Sequence, residues 1–451
     1  MFKKIEIWIV GLIVLFFILL ILFVSGVLRD AYLGKNKTPE FLRKNFLTMA
    51  EIPKNIYHVI NHFRGRDINA PPKLQKHKDK KKFEQFIPNK RNALLLLSRY
   101  DHSISRTVVD LVDLNNFEVI HTYNHDIAEM NAKVQNIEEF PMLFIDHSPI
   151  RFRYSHPLIF DDGSLISFSD TTPIFKINFC SDLIWMNDEE SFHHSQNIDH
   201  DGNIWASGKM DPKSKYVKKY SINYYADDSI IKISTDGKIL FNKSVTEILI
   251  ENNIVSDNFV FNNYLSNQFD PIHLNDIQPA FNNTQYWKQG DVFLSLRAQN
   301  AIVHYRPSTN QVVNYITGPF AQQHDVDIIS DKEISIFNNN NFLVNNQHSE
   351  VIIYNFETGK FRKLFNDQLQ KNNFKTTTGG LSEILNDGAL IVEETTHGRL
   401  LLFNNKGQKE WEFINKDNNG DIGRFFWFRI IEDELFIEKF KLLVKSKECI
   451  N

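Results

Sequence analysis

The apolar and polar positions fall into three zones. From Ile7 to Leu28 every residue is apolar or small, a run long enough to cross a bilayer core of about 30 Å as a helix. Thr38-Pro39-Glu40 then supplies an N-cap, a first-turn proline and an early acid ahead of Phe41, Leu42, Phe46 and Leu47, which predicts a short amphipathic helix. A second apolar stretch, Ile56 to Phe63, leads to Pro71-Pro72 and the run Lys76 to Lys82. Beyond Asn92 the pattern changes to short β-type runs broken by Asp-Gly, Asn-Asp-Gly and Asn-Lys-Gly turns, the mark of hairpins in series. The expected organisation is a membrane anchor or uncleaved signal over 1–30, with Val24-Ser25-Gly26 as the alternative cleavage site, a helical and basic linker over 31–91, and a β domain over 92–451.

Within the β zone a unit of strand, turn, strand, strand, turn and strand recurs. Gly379 to Phe413 is its most compact copy, and His156–Asn187, His194–Asn242, His273–Ile316 and His324–Phe365 can be laid beneath it. A weaker copy, Asn92 to Tyr123, lacks a first strand, which Arg424 to Ile437 is expected to supply by closing a ring. Six four-stranded units predict an all-β, six-bladed β-propeller behind an N-terminal transmembrane helix. A β-sandwich would not need one unit repeated around a circle.

Composition narrows the picture only a little. A net charge of −4 gives no global field for nucleic acid, and the run Lys76 to Lys82 reads as a solvated spacer. Cys180 and Cys449, the only cysteines, exclude a disulfide framework and a thiolate zinc cluster. The run Asn338 to Asn341 reads as compositional bias, and nothing in the sequence sets the oligomeric state. Lys3 and Lys4 precede the apolar helix while Arg29, Lys35, Lys37, Arg43 and Lys44 follow it, so flanking charge does not orient it.

Histidine recurs at one address of the repeat: His194 stands eight residues before Gly202, His156 seven before Gly163, His324 eight before Lys332, and His273 opens the equivalent strand before a longer turn. First strands of propeller blades line the central channel, so these four imidazoles are expected to converge there. His193, His200, His304, His348 and His397 fall outside that register. Arg297 in LSLRAQNAIV needs an anionic ligand or an ion pair with Asp276 or Asp291, and Asn275 shares a strand face with His273. Neutral imidazoles, a guanidinium and an amide suit transfer of a small anionic group with no bound cofactor or metal. The competing readings are a histidine-coordinated metal enzyme and a non-catalytic tethered propeller that binds a ligand or partner.

FHHSQNIDHDGNIWAS, DPIHLNDIQPA, GDVFLSLRAQNAIVHY, QQHDVDII and GGLSEILNDGALIVEETTHGRLLLFN resemble the repeating motifs of bacterial arylsulfotransferases over about Ile159 to Arg429. The resemblance implies a periplasmic six-bladed propeller, held here by its anchor in the inner membrane. It also implies ping-pong transfer of a sulfuryl group from an aryl sulfate to a phenol, without a nucleotide sulfate donor. It makes His324 the sulfurylated nucleophile, with His194, His273, Asn275 and Arg297 around the sulfuryl oxygens. The family's lysine and threonine of the next blade correspond loosely to Lys375 to Thr378, which with His156 completes the candidate substrate-binding set as Thr378. The amino-terminal β domain and the local disulfide of some members have no counterpart.

Overall fold

The computed structural model describes residues 7–32, 38–39, five further positions up to 49, then 71–88, 91–135, 150–170, 172–220, 225–342, 348–447 and 449. It divides into two units, Met1–Asn69 with Tyr220–Tyr225, and Ala70–Lys219 with Ala226–Asn451. In the first unit a single helix spans Ile7–Tyr32, and its stretch Trp8–Arg29 has a mean hydropathy of 3.1. By length and composition this is a membrane anchor or a signal sequence. Phe41, Leu42, Asn45, Phe46 and Met49 are also helical, whereas Ile56 to Phe63 lies outside the described residues.

The second unit is all-β and propeller-like, built from antiparallel neighbours. Its first sheet runs Phe425–Ile431, Leu94–Asp101, Arg106–Asp113 and Glu118–Tyr123, so the last described strand closes onto the copy that lacks a first strand of its own. Two further four-stranded sheets are Leu274–Pro279 to Gln311–Thr317 and Val326–Ser330 to Lys360–Leu364. A fourth, Ser382–Ile384 to Lys409–Ile414, gains a fifth strand from Phe83–Gln85. The remaining sheet has seven strands, from Ser155–Ile159 to Ile239–Ser244.

The strands therefore form five sheets where the repeat predicts six. The cause is Leu183–Ile198, a 16-residue strand with neither glycine nor proline to interrupt it. Its first half pairs with Thr172–Ile177 and its second with Ile204–Lys209, so the units His156–Asn187 and His194–Asn242 share one sheet.

The turn chemistry is as the sequence suggests: Gly202, at φ +80°, closes a turn in which Asp199 accepts the backbone N–H groups of Asp201 and Asn203. Among the described residues, six larger clusters of buried apolar side chains pack on and between these sheets. Each Val, Ile, Leu or Phe buried there contributes about 1.5–3 kcal/mol.

Two features hold the inner strands around the axis. A ring of polar links runs from one to the next: Asn197 donates to the Ile277 carbonyl, and Asp276 accepts from Val326 N–H. Asp325 then accepts from Ser382 N–H and Glu383 from Ile430 N–H, while Arg429 donates to the carbonyls of Pro157 and Gln196. In addition, one residue at or just before each inner strand has positive φ: His156 (44°), His194 (60°), His273 (51°), Gln322 (56°), Gly380 (90°) and Trp427 (102°). For a residue with a Cβ this conformation is costly and persists only where surrounding structure imposes it.

Three sequence expectations change here. The run Lys76 to Lys82 packs against the sheet rather than acting as a free spacer, because Lys76 and His77 meet the buried Glu394 and Lys80 meets Glu412. The segment Arg424 to Ile437 is strand only to Ile431; Asp433 then caps a helix, Glu434–Ser446, that buries Ile437 and Phe440. Cys180 and Cys449 form a disulfide across 269 residues of sequence, fastening the region after that helix to the sheet.

Candidate active site

At one end of the axis, a cavity of about 160 Å³ is lined by His194, Asn275, His324, Thr378, Gly379 and Glu393, among others. His194 and His273 sit with ring centroids 4.9 Å apart, and His193 packs edge-on to His194 at 4.8 Å. Among the described residues neither ring nitrogen of His194 has a hydrogen-bond partner. Burial, followed by the neighbouring His193, His273 and His324, pushes His194 well below the ordinary histidine range. His273 is oriented by Asp270, whose Oδ2 lies 2.6 Å from Nδ1, leaving Nε2 outside that pair.

His324 is held at both nitrogens. Its Nδ1–H donates to Asn339 Oδ1 at 2.6 Å, and Nε2 accepts the backbone N–H of Gly379 at 2.9 Å. Burial pushes its pKa down to about 3, against the Asn339 bond and with help from Arg297 and His273, so the ring is neutral at pH 7. Burial is the larger cause, and the charge of Arg297 adds to it.

Arg297 lies one residue beyond its strand, at the start of a single 3-10 turn. It pairs with neither Asp276 nor Asp291: Asp276 belongs to the axial ring, and Asp291 is taken by His304 and Arg306. Its Nη2 donates to Gln322 Oε1 at 3.3 Å and its buried Nε has no partner. Asn275 donates from Nδ2 to Gln323 O at 2.8 Å, and its buried Oδ1 is unpartnered.

The expected common register holds for three of the four histidines. His156, His194 and His273 occupy the left-handed position, but Gln322 fills it in the next copy, so His324 stands two residues further on, at the address of Asn275. His156 is also engaged elsewhere, since its Nδ1 accepts the N–H of Gln196 at 3.0 Å and its ring lies 3.9 Å from Trp427. Thr378 lines the cavity, whereas Lys375 caps the backbone oxygens of Asn339 and Asn340.

Asn339, Asp270, Gly379 and Glu393 escape the sequence reading. Asn339 lies in the run Asn338 to Asn341, where every side chain has a structural use: Asn338 bonds Glu350, Asn340 bonds the His348 carbonyl and Asn341 bonds Gln322. Glu393, raised to about 7 by burial, carries an unpartnered Oε2 beside the cavity. Among the described residues, the His, Cys, Asp and Glu side chains whose ligand atoms gather tightly enough for a metal ion are Asp199, His200 and Asp201, on the turn that follows Leu183–Ile198; the axial imidazoles are not so gathered.

The second unit is thus an all-β, propeller-like protein with buried imidazoles at its axis and, among the described residues, a guanidinium that has no carboxylate partner. The family model for arylsulfotransferase (ASST) matches residues 156–416, and the chain belongs to that family. Membership points to sulfotransferase activity on aryl sulfates and phenols. No curated protein matches the sequence. Among solved structures, a protein of unknown function from Bacteroides caccae aligns at 10% identity over 76% of this chain and 100% of its own, with a TM-score of 0.47. TolB from Acinetobacter baumannii aligns at 10% over 86% and 73% (TM-score 0.43), and virginiamycin B lyase from Staphylococcus aureus at 13% over 57% and 69% (0.33).

Proposed function

We propose that the protein transfers a sulfuryl group from an aryl sulfate to a phenol through a sulfohistidine at His324. The observation that carries this reading is the fixed Nδ1–H tautomer of His324, which leaves Nε2 as the nucleophilic nitrogen beside the charge of Arg297. Nε2 exchanges its bond from Gly379 N–H for the sulfur, the S–O bond to the aryl group breaks, and a phenolate leaves. The freed Gly379 N–H and the Arg297 guanidinium then face the sulfuryl oxygens, where charge-assisted hydrogen bonds are strongest. In the second half, His273, backed by Asp270, takes the proton of the acceptor phenol. The phenol oxygen attacks sulfur and the N–S bond breaks, restoring neutral His324. His194 borders the same site, and Asn275 Oδ1 is suited to receive the phenol hydroxyl.

In this reading the seven-stranded sheet counts as two blades joined through Leu183–Ile198, giving six. Six left-handed positions and six core clusters support that count. The apolar helix is an inner-membrane anchor with the propeller on the periplasmic side. The Cys180–Cys449 disulfide favours that compartment, because such bonds persist where the medium is oxidising. The test is to incubate the protein with 4-nitrophenyl sulfate alone and map the adduct by mass spectrometry. One sulfo group on the peptide bearing His324, absent in His324→Asn, is expected. An adduct on His273 or His194 instead would move the nucleophile, and turnover with no adduct would reject the covalent route.

A further inference from the structure

On the wall of the same cavity stand Arg153 and Arg424, beside Phe425, Phe426 and Trp427. Neither guanidinium has a carboxylate within ion-pairing distance among the described residues. The side chain of Arg153 lies over the Phe426 ring, with Cζ 5.5 Å from its centroid. Arg424 has a buried Nε without a partner, and burial together with the charge of Arg153 disfavours its protonated form. Asp170 and Glu393 also line the cavity, but Glu393 is bonded by Thr395 at one oxygen and close to half-protonated near neutrality, and Asp170 pairs with neither arginine. Two like charges held near each other, half-buried and unpaired, are unfavourable unless something anionic completes them.

We infer that Arg153 and Arg424 form a second anion subsite, and that the preferred substrate is an aromatic sulfate or phenol bearing another anionic group, such as a carboxylate. This rests on the sulfuryl-transfer reading above. One cavity joins His194, His324 and Asn275 to the arginine pair, and Phe426 and Trp427, which line it too, offer an apolar wall for a ring. A substrate whose reacting oxygen meets the imidazoles thus places a second substituent at the guanidiniums, which bind carboxylates in two-point fashion. A neutral phenol leaves both charges unpaired, so the pair discriminates as well as attracts. Arg153 and Arg424 both lie outside the span 156–416 that the family model matches, so membership assigns them nothing.

The experiment compares phenol and 4-hydroxybenzoate as acceptors, with 4-nitrophenyl sulfate as donor, in the full chain and in Arg153→Gln, Arg424→Gln and the double variant. The readout is the ratio of the two kcat/KM values. In the natural chain 4-hydroxybenzoate should win by about tenfold or more, and the ratio should collapse toward one in the double variant. Arg424→Lys should restore part of it, and added salt should shrink it. A ratio that is already near one, or that survives in the double variant, overturns the subsite. If no aryl sulfate is turned over at all, the sulfuryl-transfer reading fails by itself, and calorimetric titration with 4-hydroxybenzoate decides the subsite separately. Heat of binding lost in the double variant sustains it; equal binding, or none in the natural chain, rejects it.

Discussion

Asn339 accepts the Nδ1–H of His324 at 2.6 Å while its own Nδ2 donates to the carbonyls of Thr376 at 3.0 Å and Gly379 at 2.8 Å. Two carbonyls fix which end of the amide faces the imidazole, and the amide in turn fixes the tautomer. Replacing Asn339 by Ala removes the acceptor of Nδ1–H and leaves only the Gly379 N–H, at Nε2, to hold the ring and its tautomer. We expect Asn339→Ala to lower kcat by about 100-fold or more with an unchanged circular dichroism spectrum. Steady-state kinetics at saturating donor would check this, and a loss confined to KM would count against it.

Asp270 stands to His273 as Asn339 does to His324, but as an anion. Burial alone would raise its pKa, yet the bond to His273, with Lys209 nearby, holds it below the usual carboxylate range. It therefore stays ionised and orients Nδ1–H. Asp270→Asn should slow the acceptor half-reaction by roughly 10- to 100-fold while leaving the burst of 4-nitrophenol from the first half-reaction in place. Rapid-quench measurement separates the two, and equal slowing of both would make Asp270 merely structural.

Among the described residues the guanidinium of Arg297 has no carboxylate partner, so no salt bridge gives it a structural role. An ammonium in its place would lack the planar fork. Arg297→Lys should fold normally, with a melting temperature within about 2 °C of the parent, and lose about 2–3 kcal/mol of transition-state stabilisation, or roughly 30- to 150-fold in kcat/KM. Near-normal turnover would argue against an oxyanion role.

The repeat is legible because each copy writes its own turn: Asp199 to Gly202 and Asn386 to Gly388 punctuate strands in a way that residue type alone reveals. What stays hidden is non-local. The merging of two copies into one sheet depends on the absence of any breaking residue in Leu183–Ile198, and a missing signal is harder to see than a present one. Spacing counted back from Lys332 misplaces the address of His324, whereas Asp276 and Asp325 are the equivalent anchors of the axial ring, and they align His324 with Asn275. Asn339 is masked by its own neighbours, since four consecutive asparagines look like bias until each is seen to bond a different partner. The strand Phe83–Gln85 and the helix Glu434–Ser446 carry too few patterned residues to announce what they pack against.

The axial acids and the buried imidazoles set opposite pH dependences on stability, and the sign of each can be worked out. Burial raises Glu383 to about 8, helped by Asp327. Between about pH 4.3, where an unfolded glutamate loses its proton, and about 8, the folded chain holds one more proton than the unfolded chain, so this group makes stability fall as pH rises. His324 at about 3 and His397 at about 4 do the reverse: up to about pH 6.5 the unfolded chain binds the extra protons, and stability climbs with pH. Glu394 and Glu412 act in the same direction at lower pH. Against burial, which alone would raise them, bonds from His77 to the first and from Lys80 and Lys409 to the second, together with Arg399, hold each down to about 2. Their stabilisation is present above about pH 4.5 and lost on acidification. The melting temperature should therefore peak near pH 6.5 and decline toward pH 8. Glu383→Gln keeps an uncharged acceptor for Ile430 N–H and removes the titration, so it should reduce the decline from about pH 6.5 to 8 and steepen the rise between about pH 4.3 and 6.5. Differential scanning calorimetry across that range decides it: an alkaline decline of the same slope in Glu383→Gln would mean that Glu383 is already ionised in the folded protein.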